Sequence, residues 1–325
     1  MKQCVIILSC FFFLIGCNGM DKEEGSNGGQ EDSENLENSE QQSEGQTQEP
    51  DLGVEPQQEI NPPDEQAPTD PNRNQEELNQ YSTQQTAPDS DDELRTYLYN
   101  KYQVPKQWGE FIPGVKTRLN TDQKVIALTL DACGGPNGSG YDSELIYFLR
   151  QQNVPATLFI NSRWIDANYW TFWALNRIPL FEIENHGNAH RPLSMNGRSA
   201  WGIKGTENVA QMTDEILLNH RKIEKLTGRT PKFFRSGTAF YDEVGVSVIN
   251  EIGEQPVNFN VLGDAGATFS AVQVRDALLN AKPGAIVLLH MNKPDGETAE
   301  GIKLAIPELK RRGFTFVRLE DYPLS

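Results

Sequence analysis

The sequence predicts an α/β fold over residues 90–325, a largely parallel sheet of seven strands curled into an incomplete (β/α) barrel, preceded by a disordered acidic tether. Two observations carry this expectation. β-rich apolar runs recur seven times, with helix-patterned stretches between most of them, the alternation that builds a parallel sheet. Seven repeats within about 230 residues favour curling into a barrel over an open sheet. A third observation concerns chemistry. Asp131, His186, Arg235, Asp264 and His290 each end such a run, where parallel α/β architectures gather their reactive groups.

Taken in chain order, residues 1–16 read as a secretory signal. Lys2 precedes an apolar core at 5–15 that is too short for a membrane span. Its end, Leu14-Ile15-Gly16-Cys17, resembles the lipobox of bacterial lipoproteins. That likeness implies an acylated Cys17 anchored in a bacterial membrane, with the folded domain outside the cytoplasm in the cell envelope. Of the four cysteines, Cys4 and Cys10 would leave with the signal and Cys17 would carry lipid. Only Cys133 stays free, so no intrachain disulfide is expected.

Residues 17–89 form the tether. Across 21–93 there are 22 acidic and 2 basic residues with almost no aromatics, a composition that cannot bury enough apolar surface to offset chain entropy. The formal net charge of −17 belongs to this segment, because 94–325 holds 26 basic and 24 acidic residues. No basic patch points to nucleic acid. As a flexible coil the tether would span roughly 45–50 Å, and more through charge repulsion. No internal repeat is visible.

The folded part begins at Ser90-Asp91-Asp92-Glu93, a capping box for a helix ending before Pro105. Strands are expected at 125–130, 156–160, 180–183, 233–234, 257–261, 285–289 and 315–319. Helices are expected at 143–152, 207–226 with Gly228 as its stop, 242–252, 272–281 and 299–312. Aromatics cluster at Trp164, Tyr169, Trp170, Phe172 and Trp173, as a helix with a buried aromatic face or as a sugar-stacking wall. The chain is expected to be a monomer.

Six ordered pieces then resemble a known family. They are Thr129-Leu130-Asp131 before a glycine-rich turn, Ala156-Thr157-Leu158-Phe159, Glu182-Ile183-Glu184-Asn185-His186 with His190, Thr227-Gly228 leading to Pro231-Lys232-Phe233-Phe234-Arg235, Leu288-Leu289-His290, and Gly313-Phe314-Thr315-Phe316-Val317. Together, over nearly all of 120–322, they look like the polysaccharide deacetylase family, also called carbohydrate esterase family 4 or the NodB homology domain. The resemblance implies a distorted seven-stranded (β/α) barrel, a divalent metal, usually Zn2+, and hydrolysis of acetyl groups from N-acetylated or O-acetylated polysaccharides.

The residues can also be read chemically. His186 and His190 stand four apart on a segment leaving a strand, a spacing that can direct two imidazoles at one borderline metal such as zinc. Hydrolysis of an amide needs an activated water, a proton acceptor and a proton for the leaving amine. The resemblance makes Asp131 the general base, held by Arg235, and His290 the general acid, tuned by Asp264. A turn residue is the alternative for Asp131 before Gly134-Gly135 and for Asp264 in a segment without the family's tryptophan; Arg235 could equally be a structural ion-pair partner. His220 lies mid-helix between Asn219 and Arg221 and reads as solvated.

The sequence also departs from the family. Motif one normally carries two adjacent carboxylates, the second a metal ligand, but Asp131 is followed by Ala132. Asp131 with water is the favoured repair, so the expected metal ligands are His186, His190 and Asp131. A Cys133 thiolate, water alone or no metal are the other options. Arg235 is followed by Ser236-Gly237-Thr238-Ala239-Phe240-Tyr241 in place of Pro-Pro-Tyr-Gly, which leaves the oxyanion donor unassigned. Metal-dependent deacetylation of an envelope glycan, peptidoglycan being the nearest, is the leading expectation; a glycan-binding module that has lost turnover is the alternative, and a structural envelope lipoprotein that only presents surface to a partner is a third.

Overall fold

The computed structural model describes residues 90–102 and 104–325. The expected signal (1–16), the anchor Cys17 and the whole of the tether (17–89) lie outside the described residues. The strands in chain order are β1 (Trp108–Gly109), β2 (Val125–Ala132), β3 (Ala156–Ile160), β4 (Phe181–Asn185), β5 (Phe233–Phe234), β6 (Tyr241–Asp242), β7 (Gln255–Pro256), β8 (Val261–Leu262), β9 (Ala285–His290) and β10 (Thr315–Val317). The helices are α1 (Asp91–Lys101), α2 (Ser143–Gln151), α3 (Ser162–Ala167), α4 (Tyr169–Asn176), α5 (Val209–Thr227), α6 (Glu243–Ile252), α7 (Ala271–Leu279) and α8 (Thr298–Arg311).

Seven strands run in the order β7-β5-β4-β3-β2-β9-β8, all parallel, and β10 joins beside the start of β2. The sheet curls into a half-barrel. Its two ends are bridged low down by residues 116–119, where Lys116 pairs with Val257 and Arg118 with Ala285. Alternation on β2 divides the core. Ile126, Leu128, Leu130 and Ala132 pack into the layer beneath the helices, whereas Val125 and Ala127 belong to the cluster inside the barrel. Thr129 and Asp131 continue that inner face, and the Thr129 hydroxyl bonds an arginine there.

Helix ends follow the sequence closely because their caps are local. Ser90 accepts from the Glu93 amide at 3.2 Å, Asp242 caps α6 through the Gly245 amide, and Gly228 ends α5 at φ +69°. The strand expected at 257–261 is absent. In its place stand the short β7 and β8, since the carbonyls of Val257 and Asn258 turn inward to Arg235 and the Asn258 amide bonds Lys116. The aromatic cluster resolves into α3 and α4. Trp164 and Phe172 are buried in the core, while Tyr169, Trp170 and Trp173 are exposed.

Candidate active site

Five strands deliver the chemistry to one rim. Asp131 lies at the end of β2, His186 directly after β4, Arg235 directly after β5, Asp264 just beyond β8, and His290 is the last residue of β9. Asp131 and His290 are register partners across β2 and β9, so their side chains leave the sheet on the same face. Both line a cleft of about 630 Å³ whose walls include Glu110, Phe111, Trp201, Thr238 and Phe259.

Arg235 is fully buried and stacks over the Phe159 ring. Its guanidinium donates to Asp131 Oδ1 at 2.7 Å, to the Thr129 hydroxyl at 2.9 Å, and to the carbonyls of Asn258 and Val257 at 3.1 and 3.3 Å. Burial alone would raise the Asp131 carboxyl. The adjoining Arg235 charge outweighs it, with help from His186 and His290, and the pKa falls below the usual carboxylate value.

His290 is anchored on its far side. Its Nδ1 lies 2.8 Å from Asp264 Oδ1, and its own amide donates to Asp264 Oδ2 at 2.7 Å, an oxygen that also accepts from the Thr298 hydroxyl. Asp264 is therefore a fully buried acceptor engaged three times over. Burial of His290 would lower its pKa, but the Asp264 charge and hydrogen bond raise it well above the ordinary histidine value.

The histidine pair sits opposite. His186 Nδ1 is 2.9 Å from the Arg235 carbonyl, which can only accept, so in the neutral ring Nδ1 carries the proton and Nε2 presents a lone pair. That Nε2 is 3.6 Å from Asp131 Oδ2 and 3.9 Å from Cys133 Sγ. The rings of His186 and His190 meet edge-on with centroids 4.9 Å apart. Donor atoms of Cys133, His186 and His190 all lie within 4.8 Å of one another. Burial raises the Cys133 thiol, yet the His190 charge and hydrogen bonds from His186, His190 and His290 take it well below its ordinary value.

The loop that carries His190 is strapped down from α5. Glu215 accepts the Ala189 amide at 2.9 and 3.0 Å and the Arg191 amide at 3.0 Å. Gly187 adopts φ +77°, and a Cβ there would stand 2.4 Å from Glu215 Oε1. Burial pushes the Glu215 carboxyl up to about 7 against the pull of those amides. Gly237 serves the other side, where a Cβ would meet His190 at 2.4 Å.

The sequence pattern of the polysaccharide deacetylase family matches residues 118–257. Over that stretch the barrel is similar to that family. A bifunctional xylanase/deacetylase of Pseudobutyrivibrio xylanivorans is 27% identical over 210 residues, 64% of this chain and 32% of the relative, so the match spans about a third of that protein. The peptidoglycan-N-acetylmuramic acid deacetylase PdaA of Bacillus subtilis is 25% identical over 212 residues, covering 62% of this chain and 72% of the relative. Among solved structures, a CE4 family pseudoenzyme from Bacillus anthracis superposes with a TM-score of 0.53 at 20% identity, covering 65% of this chain and 69% of the other; what is shared at that identity is the fold.

Asp264 and His290 come from beyond the matched segment. His220 is not solvated. It is 3% exposed and pairs through Nδ1 with the buried Glu254, which also accepts from Asn185. Its spacing from Ile216 and Ile223, both buried on the same helix face, carried that signal. Cys133, one of the options left open for the missing ligand, has its sulfur facing imidazoles at the rim. The cleft aromatics Phe111, Trp201 and Phe259 were not singled out from sequence, being isolated in loops. Tyr169, Trp170 and Trp173 are not among its lining residues.

Proposed function

We propose that this chain is a deacetylase of N-acetylated polysaccharide, working at the cell envelope from a lipid anchor at Cys17 and a linker over 17–89, with peptidoglycan as the nearest substrate and O-acetyl groups as a second target. One observation supports this most. An ionised carboxylate and a raised-pKa imidazole stand as register partners on adjacent strands above one cleft, which is the pairing a hydrolysis needs.

The residues present fit a divalent metal. His190 Nε2 is buried without a hydrogen-bond partner, and ligand atoms of His186 and His190 lie within 4.8 Å of each other. His186 and His190 would hold the ion, zinc by donor type. When bound, such a cation polarises an acetyl carbonyl and lowers the pKa of water. Asp131, kept ionised by Arg235, accepts the proton of the attacking water. His290, kept protonated by Asp264, donates to the leaving nitrogen, and the deprotonated ring remains fixed through Nδ1. Thr238 and Phe111 bound the cleft on the substrate side.

The test is acetate release from acetylated glucosamine oligomers and from peptidoglycan by the full chain, with and without chelator, beside Asp131→Asn and His290→Ala. Release that falls about 10²-fold or more in both variants supports the reading. Release unaffected by either substitution refutes the mechanism. No release across a broad panel, with glycan binding intact, moves the chain to the binding-module alternative.

A further inference from the structure

We propose that Cys133 is the third protein ligand of this site, so that a thiolate and two imidazoles form a Cys-His-His donor set in place of the carboxylate that Ala132 cannot supply. The inference rests on the metal-binding part of the proposed function and narrows it. It begins with β2. Ala132 is fully buried in the layer beneath the helices, together with Leu128 and Leu130, so its side chain points away from the cleft. Asp131 faces inward to Arg235. By the same alternation, the next side chain directed to the rim is that of Cys133, two residues on.

The chain after Cys133 fixes where its sulfur stands. Gly134 and Gly135 take φ +70° and +80°, and Gly134 is packed so closely that a Cβ would lie 2.5 Å from the Trp164 amide nitrogen. The turn closes through Gly134 N to the Gly138 carbonyl at 2.8 Å, and Arg163 reaches the Cys133 carbonyl at 3.4 Å. A bulkier or freer turn would let the thiol swing. This one holds it against the histidines.

Distances fit a tetrahedral ion. Zinc bonds of about 2.3 Å to sulfur and about 2.0–2.1 Å to nitrogen place S and N donors roughly 3.5 Å apart, and two N donors roughly 3.4 Å apart. Cys133 Sγ and His186 Nε2 are 3.9 Å apart, and all three donors fall within 4.8 Å. Closing by about 0.4 Å for that pair and by up to about 1.4 Å for the others brings them to bonding geometry, a shift that side-chain torsions can supply. The second, independent sign is His190 Nε2, buried with no hydrogen-bond partner although a polar atom so placed is ordinarily paired.

Two consequences follow. A thiolate is a soft donor, so the site selects Zn2+ or Co2+ over Mg2+ and Ca2+. Asp131 is then released from ligation. One of its oxygens stays on Arg235, and the carboxylate is free to act as proton acceptor.

Cobalt(II) titration of the full chain, read by absorption, tests the assignment without reference to turnover. Wild type is expected to show a near-ultraviolet thiolate-to-cobalt charge-transfer band at one equivalent. Cys133→Ala is expected to lose the band and to bind zinc at least about tenfold more weakly, with an unchanged circular dichroism spectrum. Cys133→Asp restores zinc binding without the band. The three chains are otherwise identical, so the difference reports Cys133 alone. A band and zinc affinity undiminished in Cys133→Ala overturns the proposal, as does a wild-type chain that binds neither metal. A Cys133-dependent band with no acetate release leaves this site standing and removes the deacetylase reading. Chelator-sensitive release without the band does the reverse.

Discussion

Replacing Arg235 by Met tests whether the site's polar centre is held by one guanidinium. The substitution keeps an unbranched apolar stem beside Phe159 while removing the donors to Asp131, Thr129, Val257 and Asn258. Breaking a buried ion pair from one side costs about 3–5 kcal/mol, because the other charge is left without compensation. Against a typical domain stability of about 5–15 kcal/mol, that is a large share. With a urea m value of about 3 kcal/mol/M, the unfolding midpoint should fall by about 1–2 M. Adding Asp131→Asn to Arg235→Met should recover most of the loss, since a neutral amide needs no counter-ion. The acid limb of the rate profile should also move to higher pH in Arg235→Met, as burial of the Asp131 carboxyl is then opposed by His186 and His290 alone. A loss below about 1 kcal/mol, or a double variant no more stable than the single one, would show that the pair behaves as a solvated surface bridge and would refute the argument.

Asp264→Asn should lower the His290 pKa, because the charge that raises it is gone; the alkaline limb of kcat/KM then moves down in pH and acetate release near pH 8 falls at least about tenfold. Gly187→Ala places a side chain at φ +77° and against Glu215, at a cost of about 2 kcal/mol, which calorimetry should register as a Tm lower by about 4–8 °C. Gly202→Ala, also at φ +77° but with open space around it, should lose less, and an equal loss would remove the role given to Glu215. Burial holds the folded Glu215 carboxyl at about 7, against 4.5 for a free glutamate side chain. The native state thus binds more protons between those values, so its stabilising share is complete below about pH 4.5 and is lost as pH climbs to about 7, by up to about 3 kcal/mol. Glu215→Gln should flatten that slope in urea titrations at pH 5 and pH 7.5, and a slope unchanged from wild type would assign it to other groups.

Strand ends were legible because burial on both faces makes parallel strands read as unbroken apolar runs, and a polar residue that breaks the run marks the rim. Asp131, His186, Arg235 and His290 were all found that way. The 257–261 run misled for the same reason. Val257 and Phe259 are buried, but their segment serves Arg235 with its carbonyls instead of pairing in a ladder, and hydropathy does not register where a carbonyl points. His220 misled through its polar neighbours, although the helical spacing to Ile216 and Ile223 was available. Cys133 was legible in principle, as the residue two beyond Asp131 on an alternating strand. Glu215 was not, because its acceptors meet the His190 loop from 24 and 26 residues away.

The ladder joining β2 to β9 has six paired positions and ends on Asp131 opposite His290. Neighbouring strands lie about 4.8 Å apart, so the main-chain ladder sets the separation of the carboxylate and the imidazole before any loop is chosen. Loops around the rim can therefore vary without moving the one from the other.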